Sequence, residues 1–316
     1  MLKRWTARGV VTLVSAAAAL TLASVPSAEA RVVKVDRRDG QLVLVHVYSP
    51  SMRKTIVNEV LNSGGGAQPV FYLLNGGTGG ATGDKWRTFT SYRKFFAGKA
   101  VTVVSPVGGG FDYYADWRYP DLARGISKWQ TYLMRELPAA LASVFPFNGR
   151  AAIAGVSQSG APALDIAGRS PMYRAAASYS GCPASTSIFG FTSIWAFTLA
   201  GGGNPINMRG LSHDPAWYRH DPARNPVRLR GKSVYLGTST GMPGEVDKAT
   251  PLPALLIGPA QVEAVTHVCT GIMRDSLNRA GVPNTYRVFR HGAHTWKLFE
   301  RQMMDSWPQI GRAIGA

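Results

Sequence analysis

The stretch Gly155-Val156-Ser157-Gln158-Ser159-Gly160 sets a hydroxyl among small residues, between an apolar run at 150–156 and a helical segment. A serine becomes a nucleophile when a sharp strand-to-helix turn projects its hydroxyl and small neighbours let the two elements approach. Gly155 fills the position two before Ser157. Ser159 stands where a second glycine is usual, and Gly160 and Ala161 keep that side uncrowded. Ser159 competes locally, but its place in the turn directs it toward the helix. The plainer alternative is a serine in a packing turn with no chemistry.

Such a serine needs a base, an acid to orient the base, and donors for the oxyanion. His294 lies late in the chain, in "RHGAHTWKLF", and a neutral histidine takes and returns a proton near neutral pH. His291 sits at a strand end and reads as structural. The order serine, acid, histidine puts the acid after the strand at 232–239, where Glu245 and Asp247 are both candidates. Spacing alone does not separate them. The N–H of Gln158 and that of Gly77, in the loop after "YLLNG", are the candidate oxyanion donors. The histidine pair lacks the supporting ligands of a metal site.

These groups need a scaffold. Residues 41–48, 70–77 (ending at Asn75-Gly76-Gly77), 99–110 (an apolar strand, then a glycine-rich loop), 150–156, 232–239 and 285–292 read as strands. Helical spacing covers 126–145, with a bend expected near Pro138, and 263–281. Strands alternating with helices predict an α/β fold, a mostly parallel sheet with helices on both faces and its ligands at the carboxyl ends of the strands. The region 183–230 reads as an excursion from the sheet. Its "FGFTSIWAFTLAGGG" segment either lines a lipid path or packs as ordinary core. The glycine-rich "NGGTGGATGDKW" lacks the Gly-Lys-Ser/Thr of a phosphate loop, and "VGGG" lacks the rest of a dinucleotide fingerprint.

Residues 1–30 have the order of a secretory signal peptide: Lys3, Arg4 and Arg8, an apolar run, then Ala28-Glu29-Ala30 as a cleavage site. Cleavage after Ala30 leaves residues 31–316 as one domain and lowers the formal net charge from +17 to +15, since three cations and one anion leave. That charge favours an anionic envelope surface. No basic tract or known motif supports nucleic acid. Two cysteines, Cys182 and Cys269, fall in the exported part, where an oxidising compartment permits a bridge.

Together the segments "YSPSMRKTI", "YLLNGG", "VSPVGGGFDYYADW", "AGVSQSGAPAL", "YSGCP", "VYLGTSTGMPGE" and "GAHTWKLF" resemble the secreted mycolyltransferases of mycobacteria and corynebacteria. The likeness spans nearly the whole mature chain. "GCP" with "HVCTG" is closest to the corynebacterial type. The resemblance implies an α/β-hydrolase fold, a Cys182–Cys269 disulfide and a catalytic Ser157, Glu245 and His294. It implies Gly77 and Gln158 as oxyanion donors, with Asn75 and Trp296 at the substrate. It departs where Asp-Gly-Leu-Arg becomes Asn75-Gly76-Gly77-Thr78, which removes two charged sugar contacts.

The implied activity is transfer of a mycolyl group from trehalose monomycolate, through a serine ester, to a second trehalose monomycolate or to envelope arabinogalactan. No cofactor or metal is implied. A secreted esterase or lipase, and a non-catalytic carbohydrate-binding protein on the same scaffold, are the alternatives.

Overall fold

The computed structural model describes residues 29–316, so most of the predicted signal peptide lies outside the described residues. Nine strands form one sheet: β1 (Arg31–Arg37), β2 (Leu42–Ser49), β3 (Lys54–Leu61), β4 (Gln68–Leu74), β5 (Thr102–Pro106), β6 (Phe147–Val156), β7 (Tyr173–Tyr179), β8 (Ser233–Ser239) and β9 (Thr285–Phe289). Their order is β1-β2-β3-β5-β4-β6-β7-β8-β9. The first three strands run antiparallel to their neighbours. From β5 to β9 every pairing is parallel. The carboxyl ends of β4 to β9 therefore share one edge, where doubly wound sheets place their ligands.

The helices are α1 (Trp86–Phe89), α2 (Tyr92–Phe96), α3 (Trp129–Thr131), α4 (Leu137–Ala142), α5 (Gly160–Arg169), α6 (Ile188–Ala200), α7 (Pro205–Arg209), α8 (Pro215–Arg219), α9 (Leu252–Leu256), α10 (Pro259–Arg279) and α11 (Trp296–Ile314). A π-helical turn at Tyr132–Glu136 joins α3 to α4, and Pro138 sits in the first turn of α4. The expected bend is thus a widened turn, which absorbs the donor that proline lacks.

Alternation along the central strands fills two cores. Val70, Tyr72, Leu74, Ala151 and Ile153 face α4, α5 and α10. Phe71, Leu73, Ala152, Ala154 and Val156 face α1 and α11. This period of two, with both faces apolar, is the pattern of a sheet covered on both sides. The 183–230 excursion holds α6, α7 and α8. Ile194, Met208 and Trp217 pack there with Tyr113 and Trp117 into a third, smaller core.

The two glycine-rich loops bind each other. Gly108 N–H donates to the Gly79 carbonyl at 2.8 Å. A Cβ on Gly79 would fall 2.2 Å from the Gly108 oxygen, and Gly79 itself has φ +66°. Close backbone contact between the β4 and β5 loops accounts for the glycine at 79.

Candidate active site

Strand β6 ends at Val156, and a single 3₁₀ turn, Ser157–Ser159, leads into α5. Ser157 has φ +57°, a left-handed conformation that costs a side-chain-bearing residue energy and persists because its surroundings impose it. Gly155 is obligatory, since a Cβ there would lie 2.0 Å from the Ser159 carbonyl oxygen. Gly160 serves the helix side: its Cβ would lie 2.4 Å from Ser178 Oγ and 2.8 Å from Gly181 Cα. The small residue that the turn requires after the serine is therefore Gly160, which frees Ser159 for another task. Ser159 Oγ accepts from Val156 N–H at 2.8 Å and donates to the Val156 carbonyl at 2.9 Å. Both bonds are internal to the turn, so Ser159 locks it and does not compete as nucleophile.

Ser157 Oγ lies 2.8 Å from His294 Nε2. His294 Nδ1 lies 2.8 Å from Oε2 of Glu263, which has no exposed surface. The other carboxylate oxygen of Glu263 accepts from Ser180 Oγ at 2.8 Å, Ser239 N–H at 2.8 Å and Thr238 Oγ1 at 3.2 Å. Three donors hold one oxygen and leave the second for the imidazole. A carboxylate on Nδ1 fixes the tautomer whose Nε2 faces the serine as an acceptor. The His294 backbone N–H also donates to the Pro259 carbonyl at 3.1 Å. Base and acid are thereby attached to the same helix, α10.

Beside Ser157 lies the β4 loop. A Cβ on Gly76 would sit 3.7 Å from Ser157 Cβ, and one on Gly77 3.0 Å from the Phe197 ring. Phe197 of α6 covers Gly77 and stacks on Phe111 with centroids 4.7 Å apart. The Gly77 N–H has no acceptor among the described residues, while its carbonyl accepts from Phe111 N–H. Gln158, second in its turn, has no intrahelical acceptor for its own N–H. Its buried side chain donates to the carbonyls of Gly76 at 3.0 Å and Gly109 at 3.1 Å. One amide thus clamps the β4 and β5 loops beside the serine.

Residues 49–310 match the esterase family, described as "Putative esterase". Diacylglycerol acyltransferase/mycolyltransferase Ag85A of Mycobacterium leprae is 31% identical over 86% of this chain and 83% of its own. The corresponding Ag85B of Mycobacterium avium is 32% identical over 96% of this chain and 94% of its own. The chain belongs to the mycolyltransferase family. Among solved structures, MPT51 of Mycobacterium tuberculosis aligns with a TM-score of 0.68 and 26% identity, over 84% of this chain and 96% of that one. An S-formylglutathione hydrolase from Agrobacterium tumefaciens shares the fold at 15% identity and a TM-score of 0.62, over 90% of this chain and 100% of that one. The fold is that of the α/β hydrolases.

Two residues expected from the family resemblance lie elsewhere. Glu245 does not meet His294: its side chain is 84% exposed and pairs with Lys248 on the surface. It belongs to a short 3₁₀ turn that points its first carboxylate to solvent. Asp247, the other loop candidate, is buried and accepts from the backbone N–H groups of Ala293 and Gly244 and from Thr295 Oγ1. It holds the backbone of the histidine loop and not the imidazole. Asn75 is fully buried, and its side chain is taken up by protein partners. Its Nδ2 donates to Ser105 Oγ at 3.1 Å and the Pro106 carbonyl at 3.0 Å, and its Oδ1 accepts from Trp86 N–H. It ties β4 to β5 because the loop interior offers a carbonyl that only a donor can meet.

Trp296 is half-buried. Its indole stacks on Phe89 and meets Trp86 and Phe299 edge-on, while Nε1 donates to Asp84 in the β4 loop. Phe299 in turn packs against the His294 ring at 4.8 Å. Cys182 and Cys269 form a disulfide with Cα atoms 4.8 Å apart. It fastens α10, and so Glu263, to the end of β7, beside a 3.1 Å bond from Thr270 Oγ1 to the Gly181 carbonyl.

Glu263 carries a signal that the sequence contains. The buried face of α10 runs Glu263, Thr266, Thr270, Met273, Leu277. An acid at the head of that inward stripe cannot be solvent-facing, and it lies on the helix beyond the loop after β8 that holds Glu245 and Asp247.

Proposed function

We propose that this chain is a secreted serine acyltransferase that moves a mycolyl group from trehalose monomycolate to a second trehalose monomycolate or to envelope arabinogalactan. The observation that carries the reading is the Ser157–His294–Glu263 relay, with links of 2.8 Å each, in a chain of the mycolyltransferase family. Ser157 Oγ attacks the ester carbonyl while His294 Nε2 takes its proton. The N–H groups of Gly77 and Gln158 stabilise the tetrahedral oxyanion. The same proton passes to the departing trehalose oxygen, leaving the mycolyl group on Ser157. An acceptor hydroxyl then gives its proton to His294 and attacks the ester, and Ser157 recovers the proton. Glu263 holds Nδ1–H and stabilises the imidazolium in both steps. No step calls on a metal or cofactor.

Export of residues 31–316 as one domain, after removal of 1–30, fits this substrate, which lies in the envelope. The formal charge of the mature chain supports attraction to anionic envelope polymers. The exposed side of α6 presents Ile188, Phe189 and Leu199, beside the Phe197 that covers Gly77. That apolar strip supports an acyl path along α6. Trp296, tied to Asp84, shapes the opposite wall. Asn75 is committed inside the loop, and the Thr78 hydroxyl accepts from Gly80 N–H, so the sugar is held by groups other than those at the family's charged pair.

The test is intact-protein mass after brief exposure to trehalose monomycolate, with Ser157→Ala alongside and the products resolved. A mycolyl-sized adduct on the parent alone, with a new mycolylated sugar, is expected. An adduct that yields only free acid would make the protein an esterase. Folded protein that binds trehalose without adduct or turnover would make it a binding protein.

A further inference from the structure

Away from the serine, α7 ends in Arg209, which is 6% exposed. Its Nε and Nη1 are buried and have no acceptor among the described residues. Its guanidinium lies over the Trp217 ring, 5.3 Å from the centroid. Arginine stays charged in proteins, and burying a cation without a hydrogen-bond partner is strongly unfavourable. Burial lowers its pKa below the ordinary arginine value, outweighing the charges of Asp165 and Asp221 nearby, which act the other way.

Arg209 lines a cavity of about 240 Å³ together with Arg118, Lys128, Gln130, Arg219 and His220. That is several times the ~30 Å³ that a water takes in the liquid. Four of its lining residues are basic, and one, Asp116, is acidic. The neighbouring carboxylates are already engaged. Asp116 accepts from Thr131 N–H and Oγ1. Asp214 takes both Nη groups of Arg118. Asp165 is shared by Arg169, Gln130 and His220, and Asp221 by Thr186 and Ala223. Arg209 donates to no carboxylate among the described residues, and Arg219, near Asp214, acts on it only through its charge.

We propose that this cavity is a binding site for a phosphate-class oxyanion, free or as a monoester headgroup, held by Arg209 with Lys128 and Arg219 at its sides. A tetrahedral anion offers three acceptor oxygens to cations arriving from different elements, which a planar carboxylate does not. The site lies outside the serine relay and is independent of the acyl-transfer reading.

The test is isothermal titration of the whole mature protein at fixed ionic strength, set with chloride. The probes are inorganic phosphate, glycerol phosphate and acetate, with phosphatidylglycerol vesicles against phosphatidylcholine ones. Saturable one-site binding of phosphate and glycerol phosphate is expected, with acetate at least tenfold weaker. Arg209→Met should weaken it at least tenfold and Arg219→Gln severalfold, with p-nitrophenyl ester turnover unchanged in both. Vesicle binding competed by glycerol phosphate would identify a lipid headgroup as the source; binding of the soluble anions alone would identify a free one. Absence of saturable phosphate binding, or equal affinity for acetate, would overturn the proposal. So would affinity that survives Arg209→Met in folded protein. If Arg209→Met does not fold, Arg219→Gln decides, because that side chain is exposed, and unchanged affinity there overturns the site.

Discussion

Glu263→Gln separates the helix acid from the loop acid in one experiment. In the parent, one Glu263 oxygen accepts from Ser180, Thr238 and Ser239, and the other meets His294 Nδ1. A glutamine of the same shape must keep its carbonyl toward those donors, since its amide hydrogens cannot face them. The amide NH₂ then points at Nδ1, which must become an acceptor. The ring proton moves to Nε2, facing Ser157 Oγ, where the base has to be unprotonated. The wrong tautomer, with loss of the charge that stabilises the imidazolium, costs on the order of 10²–10⁴ in kcat. At about 1.4 kcal/mol per tenfold, that is roughly 3–5 kcal/mol of barrier. Glu245→Gln should leave kcat within about twofold, because its exposed pair with Lys248 belongs to the class of surface ion pairs worth little. The assay is release of p-nitrophenol from a short ester, with stopped-flow acylation to isolate the first step. Circular dichroism melts check that both variants fold. A Glu263→Gln enzyme with more than a tenth of parental kcat, or a Glu245→Gln enzyme that has lost most of it, would refute the tautomer assignment.

Restoring the family's aspartate by Asn75→Asp should destabilise the protein by roughly 3–5 kcal/mol, because a buried carboxylate replaces the donor to Ser105 and the Pro106 carbonyl; urea unfolding measures it, and an unchanged midpoint would show that the loop relaxes. Breaking the Cys182–Cys269 bridge, which spans 87 positions, removes up to about 4–5 kcal/mol on a chain-entropy basis. Because the bridge seats α10, Cys182→Ser with Cys269→Ser should also lower kcat at temperatures below the melt, and full activity there would separate the bridge from the site. Burial lowers the pKa of His220 below the ordinary ~6.5. Between that value and the folded one, the unfolded chain binds more protons, so stability falls as pH drops below about 6.5. Denaturation at pH 7.5, 6.5 and 5.5 in phosphate-free buffer should show that slope in the parent and a flatter one in His220→Gln; equal slopes would assign the loss to other groups.

The parts legible in the sequence are those set by short-range geometry. Ser157 is legible because its turn requires small residues on both sides, and β4, β5, β6 and β8 because a doubly covered sheet makes continuous apolar runs, whereas β7, mostly small alanines between Tyr173 and Tyr179, gives no such signal. His294 follows from chain order. The edge strand β1, with Arg31, Lys34, Asp36 and Arg37 among its seven residues, has no apolar run to betray it, and β3 carries Lys54, Asn58 and Glu59. Both are strands because β2 is beside them, which is a tertiary cause.

Asn75 and Glu263 show how a side chain's task depends on what it finds after folding. Asn75 stands where the family resemblance implies a substrate contact, yet the end of β5 presents the Pro106 carbonyl to it, and an amide answers what a carboxylate would oppose. Glu263 sits on a helix, where an acid usually faces water, but Ser180, Thr238 and Ser239 converge on it from the ends of β7 and β8. Neither set of partners is within ten residues of its side chain. A spacing rule therefore finds the turn serine, whose constraints are local, and misses the carboxylate that meets His294, whose constraint is the meeting of two strand ends with one helix. The fixed quantity in such a site is the position of Nδ1. Any element that delivers a carboxylate there satisfies the chemistry, and in this chain α10 delivers it.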